Sequence, residues 1–307
     1  MRGAIATCVI ALLGPAGASA AELPIVLSDG ASWTQTIVKT RTDERDGAVK
    51  SATVTTVLKA TFHQARGGPA TLSQDFVSIG SDDAAPAELE QVQTLAKIVF
   101  PAVVEVDEAL TPIRVVDWDS LRSRVVSVVE ANGGDQKAVD TFRSVFDRFD
   151  ERTAAGLFKE LGLIGLGQGT ALEVGEPQSY EDQAPNILGG PPIKTHGVFE
   201  LESYDKDAGV AVVTWEQTLD RASATASIRA TVEAMAQRAP PERRAEAAAA
   251  LKDLTIDRKD SCRYSIEVAT GLSSRTECTM TVTSGVPGRT AKRIDRWSIT
   301  QSKPETL

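Results

Sequence analysis

The stretch that most constrains this chain lies near its end, where Cys262 and Cys278 flank an alternating pattern interrupted at Ala269-Thr270-Gly271. If those three residues form the turn, Gly271 takes the left-handed conformation that closes a bulged hairpin loop. Val268 then faces Leu272, Ile266 faces Ser274, Tyr264 faces Thr276 and Cys262 faces Cys278. Because strand side chains alternate with period two, Cys262, Tyr264, Ile266, Val268, Leu272, Cys278, Met280 and Val282 share one face. The other face carries Arg263, Ser265, Glu267, Ser273, Arg275, Glu277, Thr279 and Thr281, with Arg263 opposite Glu277. A slip of one residue would part the cysteines and split Val268 from Leu272. Pattern, charge and cysteine spacing therefore select one register and predict a Cys262–Cys278 disulfide; the competing possibility is two unpaired core thiols. A bridge closing a loop of this length stabilises by roughly 3 kcal/mol, an upper figure because the hairpin is already ordered by its own pairing.

The start of the chain supplies the matching compartment. Met1-Arg2, an apolar stretch from Ala4 to Leu13 and Ala18-Ser19-Ala20 have the layout of a secretory signal peptide of residues 1–20, cleaved near Ala20. The apolar stretch is too short to span a bilayer. Cleavage removes Cys8 and leaves two cysteines in an oxidising space, where disulfides persist. The expectation is a periplasmic or secreted mature chain from Ala21, with no lipid anchor and no transmembrane segment. With 33 basic and 42 acidic residues the chain carries a net charge of −9 and has no dense basic run. Such a chain gains nothing from a phosphate backbone, so nucleic acid is not an expected partner.

Along the mature chain, residues 31–62 read as two strands around the turn Asp43 to Gly47, and a third strand covers about 71–79. A short helix near 87–97 and a strand–turn–strand unit, Val103 to Val116, follow. Residues 119–161 are the most helical part: Asp119 and Asp135 can cap helices bearing Leu121, Val125 and Val128, then Val139, Phe142, Phe146 and Phe149. Residues 162–192 read as an irregular Pro- and Gly-rich connector. Strands return at about 198–204 and 210–219, an Ala-rich helical segment spans 222–254, and a last strand lies near 293–299. Hairpins alternate with groups of helices, which predicts a single α+β domain over 21–307: an antiparallel, curved sheet packed against the 119–161 helices.

No catalytic, cofactor or metal motif emerges. Gly165-Leu-Gly-Gln-Gly169 lacks the strand before it and the helix after it that a phosphate loop needs. Asp205, Asp207 and Gly209 begin like a calcium loop whose later ligands are missing. Asp82, Asp83, Glu88 and Glu90 read as a solvated loop, and Asp117 and Asp119 as a strand end and a helix cap. His63 and His196 are the chain's two histidines and have no spacing motif.

The expected function is thus a non-enzymatic ligand-binding module with no cofactor. Its ligand would be an apolar small molecule such as a lipid, in a cleft bounded by Phe142, Phe146 and Phe149. That plan resembles the half-barrel carriers of lipids and lipoproteins, an analogy of architecture that rests on the secretion signal and the order of elements and on no motif. Two other classes are considered: an envelope interaction or assembly protein, motivated by connector 167–192 and the Ala-rich helices, and a hydrolase using His63 or His196 beside a carboxylate.

Overall fold

The structure, a computed structural model, describes residues 20–305 except 65, 132–135, 148, 159, 161–170, 185, 187–189, 237–253 and 287–288. The first half runs β1 (Ala20–Glu22), β2 (Ser32–Arg45), β3 (Ala48–Gln64), β4 (Ala70–Ser81), α1 (Pro86–Val99), β5 (Ala102–Val106) and β6 (Pro112–Val115). Helices α2 (Trp118–Ala131), α3 (Gln136–Phe146) and α4 (Glu151–Ala155) follow, then β7 (Ala171–Glu173), β8 (Gln178–Ala184), β9 (Ile193–Asp205) and β10 (Val210–Leu219). The chain ends with α5 (Arg221–Ala236), β11 (Thr255–Glu267), β12 (Leu272–Val286) and β13 (Arg289–Gln301).

Eleven strands form one antiparallel sheet, ordered β6-β5-β4-β3-β2-β13-β12-β11-β10-β9-β8, while β1 and β7 pair separately. Two meanders, β2 to β6 and β8 to β13, are joined where the last strand lies against β2. Asp46 and Gly47, with φ of 50° and 81°, make the two-residue turn between β2 and β3. That geometry suits a tight hairpin, so both strands run longer than the 43–47 turn implied.

The α+β assignment is overturned: the protein is mostly antiparallel β, 55% strand and 22% helix. The helices of 119–161 do not form a layer of their own. Helix α1 packs on β4 and α2, α2 on α3, α4 on β6, and α5 on β9 and β11. They act as separate short covers on one large sheet. The 162–192 connector is also more ordered than expected, since it contains β7 and the edge strand β8. Of the Ala-rich segment, residues 237–253 lie outside the described residues.

The terminal hairpin has the expected core register, with Cys262 opposite Cys278 and Tyr264 opposite Thr276. The disulfide bridges that pair at a Cα–Cα distance of 4.1 Å. Nearer the turn a bulge at Ser265/Ile266 moves Ile266 opposite Ser273. Arg263 also turns from Glu277, donating instead to both carboxylate oxygens of Glu202 on β9 at 2.9 Å. That fork holds the Glu202 carboxyl below its ordinary range. A parallel pair of bonds, reaching across β10 to β9, outcompetes one contact with the directly opposed residue.

Directly opposed residues define rungs across the sheet. One runs Phe199, Trp215, Cys262, Cys278, Trp297, Lys39 and Val54. The next runs Leu201, Val213, Tyr264, Thr276, Ile299, Ile37 and Thr56. Leu201, Val213, Tyr264, Thr276 and Ile299 on it have no exposed surface, so the core lies on this inner face. Burial pushes the Tyr264 hydroxyl well above its usual range. Between β8 and β9, Gly197 is required: the Tyr180 ring lies where any Cβ would sit. Tyr180 stacks on Phe199 there, and its hydroxyl accepts from Trp215 Nε1 at 2.7 Å.

The segment after β1 crosses the tip of the terminal hairpin. Leu23 is fully buried, and the Val26 amide donates to the Thr270 carbonyl at 2.9 Å. Gly271, at φ +70°, lies so close to Pro24 that an added Cβ would sit 2.1 Å from the Pro24 carbonyl oxygen. Gly271→Ala combines a left-handed alanine with a clash against backbone. It should cost roughly 2–4 kcal/mol, read as a lower urea midpoint at unchanged slope.

Candidate functional site

A cavity of about 410 Å³ lies between the inner face of β2–β4 and the helices above it. The sheet side consists of Ile37 and Lys39 from β2, Val54, Thr56 and Leu58 from β3, and Gln74 and Ile79 from β4. Alternation makes this floor apolar, because the same positions of β2 and β3 face inward on successive rungs. The roof begins with Val99 and Phe100 at the end of α1, continues along α2 with Trp118, Leu121 and Val125, and is completed by Phe146, Leu157 and Phe158. Trp118, Leu121 and Val125 recur at helical spacing, so one stripe of α2 meets the sheet.

Trp118 fixes the roof. Its indole N–H donates to the Phe149 carbonyl at 2.8 Å, and its ring stacks on Phe146 with centroids 5.9 Å apart. Phe149 packs edge-on against Trp118 at 6.5 Å. Of the three phenylalanines singled out in the sequence, Phe146 lines the cavity and Phe149 backs it. Phe142 lies on α3, but its side chain is outside the described residues. The sheet-side residues and Trp118 were missed as site residues, since nothing local says which apolar strand positions face a void.

Polar groups on the cavity wall are few: Lys39, Thr56, Gln74 and Glu160. Lys39 Nζ pairs with Glu160 Oε1 at 3.3 Å and sits 5.1 Å from the centre of the Trp297 ring. The pair joins the sheet to the segment following α4 at one end of the cavity.

Beyond that end, the inner face changes character. Asp295, directly opposite Arg41, has no exposed side-chain surface. Arg41 Nε donates to its Oδ1 at 2.9 Å, and Arg293 Nε to its Oδ2 at 2.8 Å. Burial alone would raise the Asp295 pKa, but the bonds from Arg41 and Arg293 reverse this and hold it below the ordinary carboxylate range.

Catalytic groups do not converge in the same way. His196 on β9 is level with Thr42 and Ser51, whereas His63 lies at the far end of β3, beside Asp29. Glu181, His196 and Thr218 stand abreast on β8, β9 and β10 and line a polar hollow of about 850 Å³. The imidazole makes no hydrogen bond or ion pair there among the described residues, and His196 and Thr218 are exposed. A nucleophile–base relay needs hydrogen-bonded contact in a water-poor site. Asp205 spends its carboxylate on the amides of Asp207 and Ala208, at 3.0 and 2.9 Å, as a turn does. Among the described residues no three His, Cys, Asp or Glu side chains are placed to hold a metal ion. No described helix is long and apolar enough to cross a membrane, which does not bear on spanning by strands. Gly165 to Gly169 lies outside the described residues.

No protein-family model matches the chain, and no curated protein matches its sequence. Among solved structures it is similar to Pseudomonas aeruginosa OccK5 (OpdH), at 7% identity and a TM-score of 0.26, covering 93% of this chain and 100% of that one. It is also similar to Pseudomonas aeruginosa OccK11 (OpdR), at 6% identity and a TM-score of 0.22, covering 93% and 98%.

Proposed function

We propose that this protein is an exported, non-enzymatic binding module for an apolar ligand, a single acyl chain or a lipid of similar girth, seated between β2–β4 and the α1–α3 roof. The observation that carries this is the cavity of about 410 Å³, walled by hydrocarbon and aromatic rings with four polar groups. Small-molecule sites have volumes of roughly 300–1,000 Å³, mostly apolar walls and few orienting polar groups. Each methylene moved from water into such a wall contributes about 0.8 kcal/mol, so an alkyl chain is the ligand it rewards most. Export is supported by the amino-terminal layout, and by the Cys262–Cys278 disulfide, a bond that persists in oxidising compartments.

Native mass spectrometry on protein purified from the periplasm without detergent tests this. The expected spectrum shows added mass that leaves on denaturation and extracts as a lipid. Protein that arrives empty and also fails to take up N-phenyl-1-naphthylamine, a neutral apolar fluorophore, would sink the proposal.

A further inference from the structure

The inner face is divided by the Lys39–Trp297 rung. On one side lies the apolar cavity; on the other, β2, β3, β11, β12 and β13 continue past the helical roof. Alternation places Arg41, Arg45, Lys50, Arg258, Arg289 and Arg293 on that continuing inner face, against Asp43, Asp260 and Asp295. Six positive charges against three leave a surplus of three in a chain whose net charge is −9. This cationic field therefore runs against the charge of the whole molecule, and it begins one rung beyond the cavity's end.

Within it, Arg41 is held ready for an anion. Its Nε is committed to Asp295, a carboxylate with no exposed surface, which fixes the plane of the guanidinium. Its two terminal nitrogens have no partner among the described residues, and its side chain is 44% exposed. Arg293 is anchored to the same carboxylate from the neighbouring strand. Two residues along a strand span about 7 Å, so the Arg41 stem lies that far beyond Lys39, a wall residue. A chain leaving the cavity at Lys39 brings its head to Arg41.

From this we infer that the ligand is an anionic amphiphile: its alkyl chain fills the cavity and its carboxylate or phosphate head is bound by Arg41, with Arg293 and Lys50 supplying field. The inference rests on the apolar-ligand function proposed above and adds the chemistry of the head. Glu160 already occupies Lys39, and Asp260 already occupies Arg258 at 2.9 Å, which leaves Arg41 as the open donor nearest the cavity. Guanidinium prefers such oxyanions because its fork matches two of their oxygens.

The test displaces N-phenyl-1-naphthylamine with dodecyl phosphate, dodecanoate, neutral dodecyl maltoside or inorganic phosphate, each below its micelle-forming concentration. Alongside the native chain stand Ala52→Glu and its uncharged control Ala52→Gln. Ala52 is exposed and directly opposite Arg41, so the new carboxylate can pair with Arg41 without touching Asp295. Native protein and Ala52→Gln should bind the two anionic chains about tenfold tighter than the neutral one, a margin that shrinks with added salt and vanishes in Ala52→Glu. Equal binding of anionic and neutral chains would overturn the headgroup assignment while leaving the cavity function standing. Failure of every chain to displace the probe would remove both. Displacement by inorganic phosphate alone, at the concentrations that work for dodecyl phosphate, would mark a simple anion site and contradict the amphiphile.

Discussion

Thr56→Trp is expected to abolish binding of apolar ligands, by at least about a hundredfold, while leaving the protein folded. Thr56 sits mid-floor on β3, between Ile37 of β2 and Ile79 of β4, and is a cavity wall residue. A tryptophan there projects into space the native side chain leaves empty, where its rings can meet Leu58, Leu121 and Phe146 without displacing the sheet. An indole buries roughly 150–250 Å² when enclosed, which offsets the loss of the threonine and keeps the stability change within about 1.5 kcal/mol. Thr55→Trp is the control. Its side chain points to the opposite face, so the same bulk one residue away should leave binding as it was. Titration of N-phenyl-1-naphthylamine with urea melts on both variants checks the pair; equal binding in both would mean the ligand sits elsewhere.

The second large effect concerns the buried carboxylate. Replacing Arg41 and Arg293 together by methionine strands Asp295, and should cost about 3–5 kcal/mol at neutral pH. Adding Asp295→Leu to that pair should restore most of the loss, because an apolar trio leaves no unpaired charge. The pH dependence has a definite sign. In the native protein the folded Asp295 pKa lies below that of the unfolded chain, about 3.9, so its contribution is complete above that value and is lost as pH falls through the folded pKa. In the double variant burial is unopposed and the folded pKa rises above the unfolded one. Its deficit against native protein must therefore be largest at pH 7 and narrow towards pH 4, where protonation makes the buried group neutral. Urea midpoints across that range give the answer, and a deficit independent of pH would show that Asp295 does not depend on its arginines.

The hairpin of Cys262 and Cys278 was legible because periodicity and covalent reach constrain the same few residues. Its bulge at Ser265/Ile266 was not, since a bulge conserves alternation on either side and leaves no local mark. The edge strand β8 was hidden for a related reason: Gln178 to Gln183 is polar throughout except Tyr180, whose inward turn depends on Gly197 of the next strand. Counting helical windows as a layer produced the α+β expectation. Helical segments are visible locally, whereas their separation onto different parts of one sheet is a property of packing. The site was half visible in the same sense. Leu121, Val125 and Phe146 stood out on helical stripes, but Ile37, Leu58 and Ile79 become wall residues only when β2, β3 and β4 lie side by side. Asp295 was invisible altogether, because an aspartate flanked by arginines in a strand reads as solvent-facing until its neighbours Arg41 and Arg293 enclose it.

The most direct measurement is photolabelling of the natively purified protein with a fatty acid carrying a diazirine near the end of its chain, followed by peptide mapping. Adducts should fall on the peptides that contain Leu58, Trp118 and Phe146, and unlabelled dodecanoate should suppress them. Adducts confined to the opposite face of the sheet, around Thr55 and Thr279, or labelling that dodecanoate cannot suppress, would contradict a ligand held between the sheet and its helical roof.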